Sequence, residues 1–272
     1  MIRANFHTHT TLCDGADTPR AMAERAEALG FEQLGFSGHM DPDIHMDFPA
    51  YLREIADLRR AYAGRLDILC GAELDQWWPR SRVEGAEYVI GSTHFLPGAD
   101  GSPTALDLSQ EKQETLCREV YGGDWYRLCA AYFAAEARVA RLTRCDIVGH
   151  FDLIARFNHQ SPRFDEDDPR YLGPALESLD ALADEGAAFE INSGAWSRGR
   201  RRCMYPAEPL LRRLAERRVP VFLSSDAHSA AMLGAGLAEA EAMAAACGIR
   251  AVCVLRHGPD GCVVREERPI GA

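Results

Sequence analysis

The chain alternates short apolar runs with longer helical runs over most of its length. Eight runs predict strands, over residues 2–6, 33–37, 66–72, 88–92, 146–149, 187–191, 219–223 and 251–255. Helices are predicted over 19–29, 51–63, 124–142, 171–185, 206–218 and 232–247. Short, wholly apolar strands joined by helices favour a parallel sheet that is covered by helices.

Two segments interrupt this alternation. Residues 96–123 are punctuated by glycine and proline and are expected to form a long loop with a short helix, and residues 156–170 form a polar loop. Such an insertion often shapes a substrate pocket. Because the chain has no internal repeat and no linker, residues 1–272 are expected to form a single domain. One α/β barrel of roughly 250 residues would use nearly all of it.

Side chains that can bind metal ions follow the predicted strands. The set is His7, His9, Asp14, His39, Glu73, His94, His150, Asp226 and His228. In a parallel barrel the carboxyl ends of all strands share one face, so these residues are expected to meet there. Side chains two apart on a strand point the same way, which lets His7 and His9 face one ion.

Imidazole and carboxylate ligands suit zinc, iron or manganese, and two or three such ions are expected as cofactors. Glu73 and Asp226 are the candidate shared ligands, because a carboxylate can bridge two ions. Asp14 lies in a Cys13-Asp14-Gly15 sequence, where turn formation is the alternative interpretation.

Arginines beyond two strand ends are candidates for phosphate binding. Arg156 and Arg198 are each placed to offer a planar fork to phosphate oxygens, and a solvated loop position is the alternative for both. Arg200, Arg201 and Arg202 lie close by, so the sequence leaves open which arginine binds phosphate.

Charge and composition indicate which binding partners and which cellular compartment to expect for the protein. The net charge of −11 argues against a long nucleic acid, which needs a basic face, but not against a small phosphorylated substrate. The nine cysteines contain no C-x-x-C pair and predict reduced thiols in a cytoplasmic protein. No signal peptide and no run of roughly 20 apolar residues is found, so no membrane association is expected. The oligomeric state stays open.

Between residue 5 and about residue 230 the motifs resemble the polymerase and histidinol phosphatase (PHP) superfamily. They are His7-Thr8-His9-Thr10 with Cys13-Asp14-Gly15, Gly38-His39, Gly71-Ala72-Glu73, Ile90-Gly91-Ser92-Thr93-His94, Gly149-His150-Phe151-Asp152-Leu153-Ile154 and Ser225-Asp226-Ala227-His228. Within the superfamily the chain is most similar to the monofunctional histidinol-phosphate phosphatases. The runs that indicate this are His150–Ile154 and Glu190-Ile191-Asn192 with a following arginine.

The resemblance implies a distorted (β/α)7 TIM-like barrel with a trinuclear metal centre. One ion would bind His7, His9, Glu73 and Asp226, a second Glu73, His94 and His150, and a third Asp14, His39 and His228. We therefore expect hydrolysis of L-histidinol phosphate by a metal-activated hydroxide. Arg198 and Arg156 would balance the charge of the transition state, and Asp14 or His228 would assist proton transfer.

Two other functions stay open at this point. One is a PHP-type phosphoesterase that acts on nucleotides or small oligonucleotides. The other is a non-catalytic sensor that binds a phosphorylated ligand with the help of metal ions. Phosphate release from phosphomonoesters and phosphodiesters separates all three functions.

Overall fold

The computed structural model of the protein describes residues 2–270. Its strands are β1 (Ala4–Asn5), β2 (Gln33–Phe36), β3 (His39–Met40), β4 (Asp67–Asp75), β5 (Tyr88–Ser92), β6 (Phe95–Pro97), β7 (Pro103–Ala105), β8 (Ile147–Val148), β9 (Ala188–Asn192), β10 (Val221–Ser224), β11 (Ala251–His257) and β12 (Val263–Pro269). Seven of them form one sheet in the order β1-β2-β4-β5-β8-β9-β10, and every pair in it is parallel. The short β3 pairs with the far half of β4.

Helices cover this sheet, in agreement with the predicted α/β class. They are α1 (Pro19–Ala28), α2 (Phe48–Tyr62), α3 (Gln110–Tyr121), α4 (Trp125–Glu136), α5 (Val139–Thr143), α6 (Pro169–Asp184), α7 (Gly194–Ser197), α8 (Glu208–Arg217) and α9 (Leu237–Ala246). The start of α1 follows from local chemistry, because the Thr18 side chain accepts a hydrogen bond from the amide of Ala21 and Pro19 occupies the first turn. Among residues 2–270, no helix is both long and apolar enough to cross a bilayer.

The two ends of the sheet meet and close it into a barrel. Thr8, just beyond β1, forms a parallel bridge with Ala227, just beyond β10. The amide of His9 donates to the carbonyl of Ala227 at 2.8 Å, and the amide of Ala227 donates to the carbonyl of His7 at 3.2 Å. This seam lies at the carboxyl ends of both strands, and the expected distorted (β/α)7 barrel is confirmed.

Tyr88 fills the barrel interior. Its hydroxyl donates to the carbonyls of Phe6 and Phe36, at 2.6 and 3.1 Å. A Cβ atom at Gly35 would lie 2.2 Å from the Tyr88 hydroxyl, and one at Gly71 would lie 2.3 Å from its ring, so both positions require glycine. The barrel is therefore a packed core rather than a channel, and a ligand must bind at one of its ends.

The β11–β12 hairpin closes the amino-terminal end of the barrel. Cys253, Val254 and Leu255 join the interior cluster. His257 ends β11 and contacts two carboxylates at the starts of neighbouring strands, with Nδ1 2.5 Å from Asp67 and Nε2 2.9 Å from Glu87. The opposite end of the barrel is left for the functional site.

The structure differs from the predicted elements in several places. The loop expected over 96–123 contains the antiparallel β6–β7 hairpin as well as α3, and the single helix predicted over 124–142 is divided into α4 and α5. The last predicted strand pairs antiparallel with β12, outside the barrel sheet. No strand was predicted over 263–269 because this segment is largely charged, as befits a strand whose outer face is exposed.

Candidate metal centre

All nine predicted ligands lie together at the carboxyl end of the barrel, and Glu73 is at their centre. Glu73 is buried within β4, so the strand runs through it rather than ending before it. Its Oε1 atom lies 2.9 Å from His150 Nε2 and 3.2 Å from His94 Nε2. The neighbours of its Oε2 atom are Nε2 of His7 at 3.2 Å, Nε2 of His9 at 3.5 Å and Nδ1 of His39 at 3.1 Å. One carboxylate therefore contacts imidazoles from every part of the cluster.

Asp226 is the second carboxylate of this centre. Its Oδ1 atom lies 3.3 Å from Nε2 of His9 and 3.6 Å from Nε2 of His7. Its backbone adopts a φ of 49°, in the left-handed region that non-glycine residues seldom occupy. Such strain is often found at functional sites, and here it occurs where the chain turns from β10 into the cluster.

Asp14, His39 and His228 form the outer part of the cluster. Asp14 Oδ2 lies 3.1 Å from His228 Nε2 and 3.7 Å from His39 Nε2, and the other oxygen lies 3.4 Å from His9 Nδ1. The side chains of Asp14 and His228 are 27% and 35% exposed, whereas that of Glu73 is 1% exposed. The outer group therefore faces the opening of the site.

The donor set fits divalent cations. Four buried atoms at the centre have no hydrogen-bond partner within residues 2–270: His7 Nε2, His9 Nε2, His39 Nδ1 and Glu73 Oε2. Potential ligand atoms gather within 4.8 Å of one another in four groups, which are His9, Asp14, His39 and His228; His7, His9 and Asp226; His7, Glu73 and His150; and His39, Asp41 and His94. Nitrogen and oxygen donors with no thiolate cluster are typical ligands of zinc, iron or manganese.

The charges of the cluster agree with this fit. Burial alone would raise the pKa of Glu73, but His39 and His7 outweigh it and hold that pKa well below its usual range. Burial alone would lower the pKa of His7, but Glu190, Glu73 and Asp226 outweigh it and raise that pKa to about 10. The buried carboxylates therefore require positive charge beside them, which bound divalent cations provide in place of protons.

Glu190 is a buried carboxylate of β9 that the sequence analysis did not select as a site residue. Its Oε2 atom lies 2.9 Å from His7 Nδ1, and its Oε1 atom accepts the backbone amide of His150 at 2.7 Å. The amide group of Asn192 and the hydroxyl of Ser224 also donate to it, at 2.8 and 2.6 Å. This contact at Nδ1 turns His7 Nε2 towards Glu73 and Asp226, an arrangement common behind histidines that bind metals.

Asp75 and Asp41 support two further histidines and were also missed. Asp75 accepts the backbone amide of His94 at 2.7 Å and lies 3.5 Å from its Nδ1, while Asp41 lies 3.3 Å from His39 Nδ1. Each follows a predicted ligand by two residues in the sequence, after Glu73 and His39 respectively. That spacing, and the single acid inside the apolar run 187–191, were the available signals.

The arginines near the site have different surroundings. Arg198 donates to the carbonyl and to Oδ2 of Asp226, at 2.9 and 3.2 Å, and Arg156 pairs with Asp107 at 3.0 Å. Arg201 is buried, pairs with Asp152 and Glu166, and stacks on the ring of Tyr205. The basic cluster of the sequence is thus divided, and Arg201 stabilises the fold behind the site.

A cavity of about 590 Å³ opens above the cluster. One group of residues in its lining is basic, namely Arg156, Arg198 and Arg200. Another group is acidic and consists of Asp41, Asp43 and Asp107, in addition to the predicted ligands. The cavity therefore offers both cationic and anionic side chains to a ligand that reaches the cluster.

Comparisons with known proteins give one family and one fold. The profile of the PHP domain family matches residues 5–194. The probable histidinol-phosphatase of Deinococcus radiodurans is 34% identical over 252 residues, which cover 86% of this chain and 89% of that protein. The histidinol-phosphatase of Bacillus subtilis is 26% identical over 265 residues, with 86% and 96% covered.

Two solved structures share the fold at 20% identity. One is a putative histidinol phosphatase from Listeria monocytogenes, with a TM-score of 0.76 over 87% of this chain and 99% of that chain. The other is the histidinol phosphate phosphatase of Lactococcus lactis in complex with zinc, L-histidinol and phosphate, with a TM-score of 0.72 over 93% and 96%.

Proposed function

Because the chain belongs to the PHP domain family, we propose that it is a metal-dependent phosphomonoesterase that hydrolyses L-histidinol phosphate to L-histidinol and phosphate. The observation that carries this proposal is a cluster that contains all nine predicted ligand residues, beneath a cavity with both arginine and aspartate side chains. Relatives that are named histidinol-phosphatase, and that match this chain along most of their length, support the same substrate. Residues 1–272 act as one domain in this proposal.

The proposed cofactors are two or three ions of zinc, iron or manganese. One ion is assigned to His7, His9, Glu73 and Asp226, a second to Glu73, His94 and His150, and a third to Asp14, His39 and His228. Support comes from the distances around Glu73, which is close to histidines of the first two sets, and from the grouping of Asp14, His39 and His228 at the outer edge. The hydroxyl of Ser92 donates to Glu73 Oε1 at 2.6 Å and fixes the rotation of this shared carboxylate.

When bound, divalent cations polarise phosphoryl oxygens and lower the pKa of water, which is the main chemistry that the reaction needs. The residues of the chain supply position and charge. Arg198 and Arg156 line the cavity and are proposed to hold the phosphoryl oxygens as negative charge develops on them. Asp14 and His228 are the most exposed of the paired ligands and are proposed to pass a proton to the departing alcohol oxygen.

The acidic residues of the cavity favour this substrate over nucleic acid. L-Histidinol phosphate carries an ammonium group on the carbon next to its phosphorylated CH₂ group, and an imidazole at the end remote from the phosphate. Asp43 and Asp107 line the same cavity as the arginines, so a ligand that carries both a phosphate and cationic nitrogen groups is complementary to it. A polyanion would instead meet carboxylates and a chain with a net charge of −11.

The test is phosphate release by the metal-loaded protein from L-histidinol phosphate, a nucleoside monophosphate and a phosphodiester, with elemental analysis of the same preparation. We expect the highest kcat/KM with L-histidinol phosphate, two or three transition metals per chain, and loss of turnover after chelation. Equal or faster turnover of the nucleotide or the diester would replace the proposed substrate. Full metal content with no turnover of any ester would favour a sensor.

A further inference from the structure

Three guanidinium groups converge on the cavity, those of Arg156, Arg198 and Arg200. Arg200 is exposed at the rim of the cavity, and the partial burial of its guanidinium lowers its pKa, as do the charges of Arg156 and Arg198. Like charges gathered in this way repel one another unless an anion lies between them. Carboxylates of the chain compensate some of these charges, and the surroundings of each arginine decide which one is available to an anion in the cavity.

Two of the three are already engaged by carboxylates of the chain. Arg156 pairs with Asp107 at 3.0 Å, and Arg198 makes two hydrogen bonds to Asp226, a proposed metal ligand. Arg200, by contrast, forms no ion pair among residues 2–270; the charge of Asp226 raises its pKa, but Arg156 and Arg198 lower that pKa by more. All five of its N–H donors stay available to a ligand in the cavity.

The local backbone explains how neighbouring arginines come to line one cavity. Gly199 has a φ of 67°, so the chain reverses between Arg198 and Arg200 at a residue that tolerates this conformation. The amide of Arg198 bonds to the carbonyl of Gly194, and that of Arg200 to the carbonyl of Ala195. Both side chains are thereby carried by one ordered turn at the end of α7.

We propose that Arg200 captures the phosphate dianion of the substrate, while Arg198 and Arg156 hold their carboxylate partners and act on the developing charge. This inference rests on the proposed phosphatase function of the same site. Arg200 is then a residue of ground-state binding, so its loss should raise KM and weaken phosphate binding more than it lowers kcat. Its planar fork matches two phosphate oxygens, which lysine cannot reproduce.

The experiment compares Arg200→Ala, Arg200→Lys and Arg202→Ala in metal-loaded protein. Arg202 is the matched control, because it is exposed like Arg200 and lies only two residues away, but does not line the cavity. The measurements are kcat and KM with L-histidinol phosphate, the Kd of inorganic phosphate by titration calorimetry, and metal content.

For Arg200→Ala we expect KM and the phosphate Kd to rise by at least about tenfold, which corresponds to one charge-assisted hydrogen bond. The kcat should stay within about threefold of the wild type, Arg200→Lys should recover part of the loss, and Arg202→Ala should match the wild type. Phosphate affinity that is equal in Arg200→Ala and Arg202→Ala would overturn the inference, as would loss of metal from Arg200→Ala.

The calorimetric arm separates this inference from the proposed function. Wild-type protein that binds phosphate through Arg200 but releases none from L-histidinol phosphate would support the role of Arg200 and disprove the substrate. Turnover of L-histidinol phosphate with the same KM and phosphate Kd in the wild type and in Arg200→Ala would support the proposed function and disprove the role of Arg200.

Discussion

Substitution of Glu190 by glutamine tests how the cluster is held in place. The carboxylate accepts from His7, the amide of His150, Asn192 and Ser224, and it is buried. Glutamine has nearly the same shape but replaces one acceptor oxygen with an NH₂ donor. Whichever way the amide is oriented, that NH₂ group faces two donors of the chain.

The expected loss can be worked from these contacts. In either orientation of the amide, His7 Nδ1 loses the charged partner that orients the ring and keeps Nε2 directed at Glu73 and Asp226, and in one orientation it faces an NH₂ group instead of an acceptor. Removal of such a supporting group typically weakens metal affinity by about 10- to 100-fold, or roughly 1.4–2.7 kcal/mol. At least one charge-assisted hydrogen bond is also lost from the core, at a cost of about 1.5–3 kcal/mol of folding free energy.

The assay is competition with a chelator of known zinc affinity, together with the Tm of the metal-free protein. Ser224→Ala is the control, because it removes another donor to the same Glu190 oxygen and leaves the pair with His7 intact. We expect Ser224→Ala to lower Tm and to change zinc affinity by less than about threefold. A Glu190→Gln variant with the zinc affinity of Ser224→Ala would refute the positioning role and leave Glu190 a structural residue.

Three further predictions follow from described contacts. Glu73→Gln should abolish nearly all turnover while the circular dichroism spectrum is unchanged, because the amide lacks the charge that the two proposed cations would share; substantial residual turnover would contradict this. Arg198→Ala should lower kcat/KM by roughly 30- to 1,000-fold and also reduce metal content, since Arg198 holds Asp226; kinetic loss at full metal content would exclude that coupling. Burial opposes protonation of His257, but its carboxylate partners outweigh it and raise its pKa above 6.5 in the folded state. The folded state therefore binds this proton more tightly, so the stabilisation is complete below pH 6.5 and fades as pH rises through the folded pKa. The Tm difference between wild type and His257→Gln should be larger at pH 6 than at pH 9, and an equal difference at both would argue against the charged pair.

The fold and the ligand cluster could be predicted because both follow from local patterns. Each strand of the barrel is a short apolar run, and the parallel topology brings their ends to one face whatever the details of the loops. His39 and Glu73 show the limit of this rule: both lie within paired strands rather than after them. The prediction that their side chains lie at the carboxyl end of the barrel is nevertheless correct, since residues two apart on a strand point to the same side.

The sequence carries signals for the supporting residues, but it does not predict their contacts, because these join distant segments of the chain. Glu190 meets His7 only when β9 and β1 occupy the same barrel. The arginines at 200 and 201 differ in surroundings although they are adjacent, because a turn at Gly199 sends one to the cavity and the other into the core. The spacing of residues in the sequence does not indicate which way such a turn directs their side chains.

The seam between Thr8 and Ala227 links the two remotest parts of the barrel sheet, and the loop that it closes is most of the chain. Closing so long a loop costs conformational entropy, and two backbone hydrogen bonds offset only a small part of that cost in free energy. Candidate ligands flank the seam on both strands, as His7 and His9 on one and Asp226 and His228 on the other. An ion held across it would serve as a cross-link between the first and last strands, so metal supply would set the lifetime of the closed barrel as well as its activity.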